Sequence, residues 1–181
     1  MDVKIATLFQ QNKYSDVIET YGQQYQSYGH VATYFIGVSY LFLEQYESAK
    51  HVFMHLKKVK SKLPDFECYV ALTLLRLGDY KGAKRFINKA SSESLLYFET
   101  NIEISIKSGH VKRARRLIKE AAQANIESIS IKINEAILFL YQRKFSNAKE
   151  ILINLLNIEP ENIIIYDNLI RIFSATKESY K

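Results

Sequence analysis

The sequence predicts an all-α fold, a solenoid of about five helix-turn-helix repeats closed by a capping helix. Three observations support this prediction. Only two prolines and six glycines occur in 181 residues, which disfavours turn-rich β architectures and long linkers. Apolar residues recur at the helical spacings of three and four residues. Finally, one nine-residue pattern occurs five times along the chain, at intervals of 31 to 34 residues, as expected of a repeat protein.

The repeated pattern begins the second helix of each repeat. Its second position is apolar or aromatic in every copy: Tyr14, Tyr46, Tyr80, Val111 and Phe145. Three residues later stands a small or β-branched residue: Val17, Ala49, Ala83, Ala114 and Ala148. Small residues are expected where two helix backbones cross closely, because larger side chains would force the backbones apart.

A first helix precedes each copy of the pattern. In three repeats Gly37, Ala71 or Ala136 lies twelve residues before the small residue of the second helix, so that two small residues face each other. The fourth repeat has Ile102 at this place instead. Gly78-Asp79 and Ser108-Gly109 lie between helices, where a left-handed or turn conformation ends one helix and lets the next begin.

The period divides a single domain of residues 1–181 into repeats at about 1–28, 29–62, 63–93, 94–126 and 127–160. A capping helix is predicted at 161–177, because the last repeat of an array needs its apolar face covered. The residues expected to cover it are Ile164, Leu169, Ile172 and Phe173. Ile163, Ile165 and Ile170 are expected to point elsewhere, so this helix is either deeply buried or meets a second copy or a further domain.

These positions resemble the tetratricopeptide repeat family over about residues 1–160. The resemblance rests on Gly37, Tyr40, Tyr46, Ala49 and Phe53, on Ala71, Gly78, Tyr80, Ala83 and Ala90, and on Ala136, Phe145, Ala148 and Pro160. It implies a right-handed superhelix whose first helices line a concave groove. It also implies a protein-protein interaction module, such as an adaptor, scaffold or chaperone-like protein, that binds a peptide or helix in that groove.

The family's groove-facing register, carried onto this sequence, predicts an inner surface that is aromatic and apolar in its first half. The predicted partner-binding residues are Tyr34, Phe35, Val38, Phe42, Tyr69, Leu72, Arg76, Asn134 and Tyr141. The clamp with which chaperone-binding members hold an acidic carboxyl terminus is absent, because Asp2, Ala6, Phe35, Asp65 and Tyr69 stand at its places. Aromatic anchors favour an extended or helical segment with apolar side chains. Packing between helices is the alternative role for the same residues.

Positive charge is concentrated in the middle of the chain, where residues 50–119 carry 16 basic and 6 acidic groups. One helix carries Lys112, Arg113, Arg115, Arg116 and Lys119. Neighbouring second helices carry Lys57, Lys58, Lys60, Lys62, Lys81, Lys84, Arg85 and Lys89. This basic ridge could hold nucleic-acid phosphates or an acidic protein. Solvated charge on the outer face of the repeats is the simpler interpretation.

Catalysis is not expected from this sequence. It has no glycine-rich phosphate loop, nucleophile elbow or paired-carboxylate motif. His51 and His55 have metal-ligand spacing but no third ligand, so neither a metal nor a cofactor is expected. The competing interpretation is that the chain is the N-terminal repeat region of a larger enzyme, because some bacterial sulfotransferases and glycosyltransferases resemble this arrangement.

The cellular location is also predicted from composition. Cys68 is the only cysteine, which excludes an internal disulfide and fits a reducing compartment such as the cytoplasm. The N-terminal residues lack the pattern of a secretory signal, and no apolar run is long enough to cross a membrane. We therefore expect a cytoplasmic protein without membrane insertion, and homo-oligomerisation through the C-terminal helix is one of the arrangements open to it.

Overall fold

The computed structural model describes residues 2–58, 63–90 and 94–178, and this part of the chain contains eleven α-helices and no β-strand. The helices are α1 (Asp2–Gln10), α2 (Tyr14–Tyr21), α3 (His30–Phe42), α4 (Tyr46–Lys58), α5 (Phe66–Arg76), α6 (Tyr80–Ile87), α7 (Leu95–Lys107), α8 (Val111–Gln123), α9 (Ile129–Tyr141), α10 (Phe145–Leu156) and α11 (Ile163–Glu178). A 3₁₀-helix over Gly22–Ser27 continues α2. The prediction of an all-helical repeat fold is confirmed.

The helices pack in consecutive pairs. The two helices of each pair, from α1 with α2 to α9 with α10, are in contact and are joined by three residues. Connections this short make neighbouring helices antiparallel. The chain divides into two compact units, residues 1–91 with α1 to α6 and residues 92–181 with α7 to α11. That all residues form one domain stays a prediction.

The close crossing of paired helices is visible at Gly37 in the first unit. A Cβ atom on Gly37 of α3 would lie 2.7 Å from Cε1 of Phe53 and 3.1 Å from Cγ1 of Val52, both on α4. Phe53 is completely buried, so its ring has no room to move aside. Glycine is therefore required here by the distance between two helices and not by the backbone conformation.

The turn inside each pair has one residue in the left-handed region, always two positions before the second helix. These residues are Asn12, Glu44, Gly78, Gly109 and Arg143, with φ values between 55° and 80° (57°, 59°, 77°, 74° and 58°). Each repeat therefore uses the same turn, whichever residue stands there. Glycine adopts this conformation without steric cost, whereas glutamate and arginine do not.

The core of the first unit includes a cluster that joins its first four helices. It consists of Ile5, Val17, Tyr21, Ala32, Ile36 and Val52. Cys68 of α5 is also completely buried. Ile5 and Val17 replace the usual small residues of the first pair and are both fully buried, so this pair has the same inward-facing positions as the others but larger side chains there.

Two apolar clusters form the core of the second unit. The first joins α7, α8 and α9 through Phe98, Ile102, Ala114, Leu117 and Leu138, among others. The second joins α9, α10 and α11 through Ala136, Ala148, Leu152, Leu155, Ile165, Leu169 and Ile172. Ile102 takes the place of a small residue and is completely buried against Ala114.

The capping helix α11 covers the last pair with a face that differs in part from the predicted one. Leu169 and Ile172 are buried as expected, but Ile165 is completely buried and was expected to point elsewhere. Ile164 and Phe173 were expected in the core and instead expose 57% and 47% of their surface. At 100° per residue, Ile165, Leu169 and Ile172 share one side of the helix, whereas Ile164 lies about a quarter turn away from it.

Candidate functional site

Six aromatic rings form a continuous row in the first unit, which we call the aromatic surface. It consists of Phe42, Tyr14, Phe9, Phe35, Tyr34 and Tyr69. The ring centroids of successive members are 4.9 Å, 5.4 Å, 4.6 Å, 5.8 Å and 5.8 Å apart. All these distances lie in the range of favourable aromatic pairs.

Spacing along α3 and contacts between α1, α2 and α3 bring these rings together. Phe35 and Phe42 are seven residues apart on α3 and so point to the same side two turns apart. Phe9 lies near the end of α1 and stacks on Phe35 with an interplanar angle of 29°. Tyr14, the first residue of α2, contacts the rings of Phe9 and Phe42. The first helix pair thus lies beside α3 through aromatic contacts.

Tyr34 is next to the last ring of the row and is firmly held. It exposes only 9% of its surface, and its hydroxyl donates a hydrogen bond of 2.7 Å to the carbonyl oxygen of Pro64. Burial raises the pKa of Tyr34 well above its ordinary value, and the neighbouring Tyr69 and Asp65 add to this effect. The hydroxyl is therefore protonated in the folded protein and can donate this hydrogen bond.

Tyr69 lies beside Tyr34 at the start of the next pair. Its ring meets that of Tyr34 edge to face at an interplanar angle of 74°. Burial raises the pKa of Tyr69, as does the carboxylate of Asp65. Tyr69 is only half-buried, so part of its ring is available to a ligand.

The other end of the aromatic surface is open to solvent. Phe42 exposes 49% of its surface, although it is a large apolar side chain. Phe9, Tyr14, Phe35 and Leu72 are half-buried, and Arg76 is exposed. The accessible part of the predicted groove residues in this unit is therefore centred on Phe42 and Phe35.

Three of the predicted groove residues are not accessible: Tyr34, Val38 and Asn134. Val38 is completely buried, although helical spacing places it on the same face of α3 as Phe35 and Phe42, because its short side chain does not reach past these larger rings. Asn134 of α9 is buried in the second unit with 7% of its surface exposed. Burial makes all three packing residues and not the contact residues that the sequence predicts. Tyr141, also in the second unit, exposes 62% of its surface at the end of α9.

Phe9 and Tyr14 were missed as members of the surface. Tyr14 was recognised only as the aromatic residue that begins a second helix. Phe9 lies in the first repeat, where the resemblance to the family is weakest. The sequence does carry a signal for them, because Phe9 and Tyr14 are aromatic residues on either side of the turn before the predicted second helix.

Most of the predicted basic ridge on α8 is exposed. Lys112, Arg115, Arg116 and Lys119 are exposed and lie at i, i+3, i+4 and i+7, on one face of the helix. Nε of Arg116 lies 3.3 Å from a carboxylate oxygen of Glu120. Arg113 differs, because it is half-buried and its Nη2 donates a hydrogen bond of 3.3 Å to Oδ1 of Asn101 on α7.

The predicted ridge residues of the first unit lie on α4, on α6 and, for Lys89, just after α6. Lys57, Lys58, Lys81, Arg85 and Lys89 are exposed, and Lys84 is half-buried. Lys57 and Arg85 lie 5.1 Å and 5.6 Å from the ring centroid of Phe86, so these two side chains also cover an aromatic ring. Lys60 and Lys62 lie outside the described residues.

The histidine pair has a packing contact. The ring of His55 meets that of Tyr25 at 5.6 Å, nearly perpendicular to it. Across the residues that the structure describes, no group of three or more potential metal ligands occurs. In the same part of the chain, every helix is too short or too polar to pass through a lipid bilayer.

Comparison with known proteins identifies the repeat. Residues 32–62, which include most of α3 and all of α4, match the family model described as tetratricopeptide repeat. Among solved structures, the chain is similar to "YrrB: a TPR protein with an unusual peptide-binding site", with a TM-score of 0.62 and 16% sequence identity. The similarity covers 90% of this chain and 87% of that chain.

Residues 32–62 are a tetratricopeptide repeat, and the chain has the fold of a tetratricopeptide repeat protein. The repeat type predicted from the sequence is thereby confirmed, and the likeness to YrrB concerns the fold. No curated protein sequence matches the chain. The matched repeat also contributes three of the six rings of the aromatic surface: Tyr34, Phe35 and Phe42.

Proposed function

We propose that this protein is a protein-protein interaction module whose aromatic surface binds an extended or helical segment of another protein. The observation that carries the proposal is the exposure of Phe42 at the end of a continuous row of contacting rings. An apolar segment would cover Phe42, Phe35 and the adjoining edges of Tyr14 and Tyr69. Large aromatic side chains supply much buried area at small entropic cost, and for this reason they dominate many interfaces.

The structure of the surface suits a preformed site. Tyr34 is held by its hydrogen bond to Pro64 and by contacts with Phe35 and Tyr69. Phe9 is held by Phe35 and Tyr14. Side chains that are already ordered lose little entropy when a ligand binds. The peptide-binding site named for YrrB supports a peptide ligand by analogy of fold.

Selection from a displayed library of random peptides on the immobilised full chain tests the proposal. We expect selected peptides to contain apolar or aromatic anchors and to bind a Phe42→Glu variant at least tenfold more weakly, since the change places a charge in the contact. Val31→Glu is the matched control, because Val31 is also on α3 and exposes 55% of its surface but does not belong to the row.

The contradicting outcome is equally direct. If the selected peptides bind Phe42→Glu and wild type equally well while Val31→Glu also changes nothing, the ligand site lies elsewhere. Circular dichroism of each variant before the binding measurement separates loss of contact from loss of folding.

The exposed part of the basic ridge on α8 supports nucleic-acid binding as a second candidate function. Four exposed cations on one face, Lys112, Arg115, Arg116 and Lys119, match what a phosphate backbone requires. Titration of single-stranded and duplex RNA at two salt concentrations checks it. We expect binding that weakens steeply as the salt concentration rises and that is lost in Lys112→Glu/Lys119→Glu. Undetectable binding at low salt would remove this candidate.

A further inference from the structure

A stripe of apolar side chains remains exposed on α11 after its other side has packed against α9 and α10. Ile163, Tyr166, Ile170 and Phe173 expose 73%, 45%, 60% and 47% of their surface. They are separated by three, four and three residues and therefore lie along one face of the helix. Contiguous exposed apolar residues of this kind usually mark an interaction site.

The spacing of the stripe matches a helical partner. Residues separated alternately by three and four positions form the seam along which two helices pack in a coiled coil. The stripe spans most of α11, which has 16 residues and is about 24 Å long. Another helix of similar length and apolar pattern would cover it.

The charges beside the stripe favour one orientation of such a helix. Asp167 and Arg171 are both exposed and lie on the same flank of the stripe. If a second α11 packs antiparallel about the midpoint of the stripe, Asp167 of one copy lies beside Arg171 of the other. The offset between the two residues along the helix axis is then about 3 Å. The two-fold symmetry forms this opposite-charge pair twice.

The positive charge on α10 is compatible with the same orientation. Nζ of Lys149 lies 5.2 Å from the ring centroid of Phe173, at one end of the stripe. In the antiparallel arrangement the two Lys149 side chains are at opposite ends of the interface, about 15 Å apart along the axis. At that separation in water their repulsion is largely screened.

We propose that the exposed stripe of α11 binds the α11 stripe of a second copy in antiparallel orientation, forming a two-fold symmetric dimer. Ile163 of each copy faces Phe173 of the other, and Tyr166 faces Ile170. Such a dimer is a closed assembly, because both copies use the same surface and no exposed stripe remains to bind a third copy. The dimer is independent of the aromatic surface, which belongs to the other unit.

The size of the interface determines the experiment. Two helices of this length give a contact at the small end of the range for specific complexes. We therefore expect a concentration-dependent dimer, detectable by sedimentation equilibrium of the full chain between about 1 μM and about 1 mM. A wild-type chain that stays monomeric over this range overturns the proposal.

An apolar-to-charged substitution tests whether α11 forms the contact. Ile170→Glu is expected to raise the dimer dissociation constant at least tenfold, because it buries a carboxylate at the centre of the stripe. Val31→Glu serves again as the control, since it changes an exposed apolar residue outside α11 and should leave dimerisation unchanged. A dimer that resists Ile170→Glu uses another surface and contradicts the proposal.

A charge exchange tests the orientation and the identity of the partner. Asp167→Arg and Arg171→Asp should each weaken self-association, because in a dimer of either variant residue 167 of one copy faces a like charge at residue 171 of the other. Mixed in equal amounts, the two variants should form a heterodimer at least as stable as the wild-type dimer, with both pairs restored. A mixture that associates no better than the separate variants rules out the antiparallel pairing.

Discussion

Gly37 shows how a single position fixes the distance between two helices. The residue lies in the middle of α3, where glycine is otherwise unfavourable. It is retained because the ring of Phe53 occupies the space of a side chain. Tyr34, about one turn earlier, ties the same helix to the carbonyl oxygen of Pro64 through its hydroxyl.

We expect Gly37→Ala to destabilise the protein by about 1–3 kcal/mol, the usual cost of overpacking a buried site. Urea unfolding followed by circular dichroism measures the change. The pair Gly37→Ala/Phe53→Leu should lose less than the sum of the two single variants, because the smaller side chain makes room for the new methyl group. Strict additivity would show that the contact between Gly37 and Phe53 does not set the helix distance.

Tyr34→Phe is expected to cost about 1 kcal/mol at pH 7, the value of one hydrogen bond. Because the folded state raises the pKa of Tyr34, its hydroxyl stabilises the fold fully below the ordinary tyrosine pKa. That contribution is lost as the pH rises above about 10, where the unfolded chain ionises and the folded chain does not. Urea unfolding at pH 7 and pH 11 should therefore show a smaller pH effect in Tyr34→Phe than in wild type.

At the scale of the helix pair, the left-handed turn residue is the common feature of all five repeats. The sequence could predict this conformation at Gly78 and Gly109, because glycine marks such positions. Asparagine tolerates this conformation, so Asn12 is compatible with it, but Glu44 and Arg143 could not be predicted from residue type alone. There the tertiary contacts of the two helices determine the turn, and the side chain tolerates the strain.

The turn makes opposite predictions for two substitutions. Gly78→Ala should destabilise the protein by about 1 kcal/mol, since alanine resists a φ of 77°. Glu44→Gly should be neutral or stabilising by up to about 1 kcal/mol, because it removes the same steric cost. Thermal unfolding of both variants checks them together, and equal effects of the same sign would contradict the shared turn.

The capping helix shows where sequence reasoning was insufficient. Its position and length followed from Pro160 and the repeat period. Its buried face did not, because Ile163, Ile164, Ile165 and Ile170 are equivalent in composition. Only the contacts with α9 and α10 decide that Ile165 packs in the core while Ile164 is exposed.

At the scale of the whole molecule, the chain consists of two units that each contain their own buried clusters. The fold class and the tetratricopeptide repeat could be predicted because repeat proteins impose a period on the sequence. The aromatic surface could be predicted only in part. Phe35 and Phe42 follow from the groove-facing register that the family resemblance implies, whereas the burial of Val38 and the participation of Phe9 depend on how neighbouring pairs are placed.

Because each unit has a core of its own, we expect residues 1–91 expressed alone to fold. Repeat proteins are stabilised mainly by contacts between neighbouring repeats, so a piece with three complete pairs retains most of its stabilising contacts. Circular dichroism should show a helical spectrum and a cooperative thermal transition. A fragment that unfolds gradually, without a transition, would show that its three pairs are not sufficient.

The complete burial of Cys68 provides a built-in reporter of motion in the first unit. A thiol without solvent access reacts with an alkylating reagent only while the surrounding helices are transiently open. Its labelling rate in the unmodified protein therefore measures how often α5 is exposed, and a ligand that clamps the neighbouring rings should slow that rate.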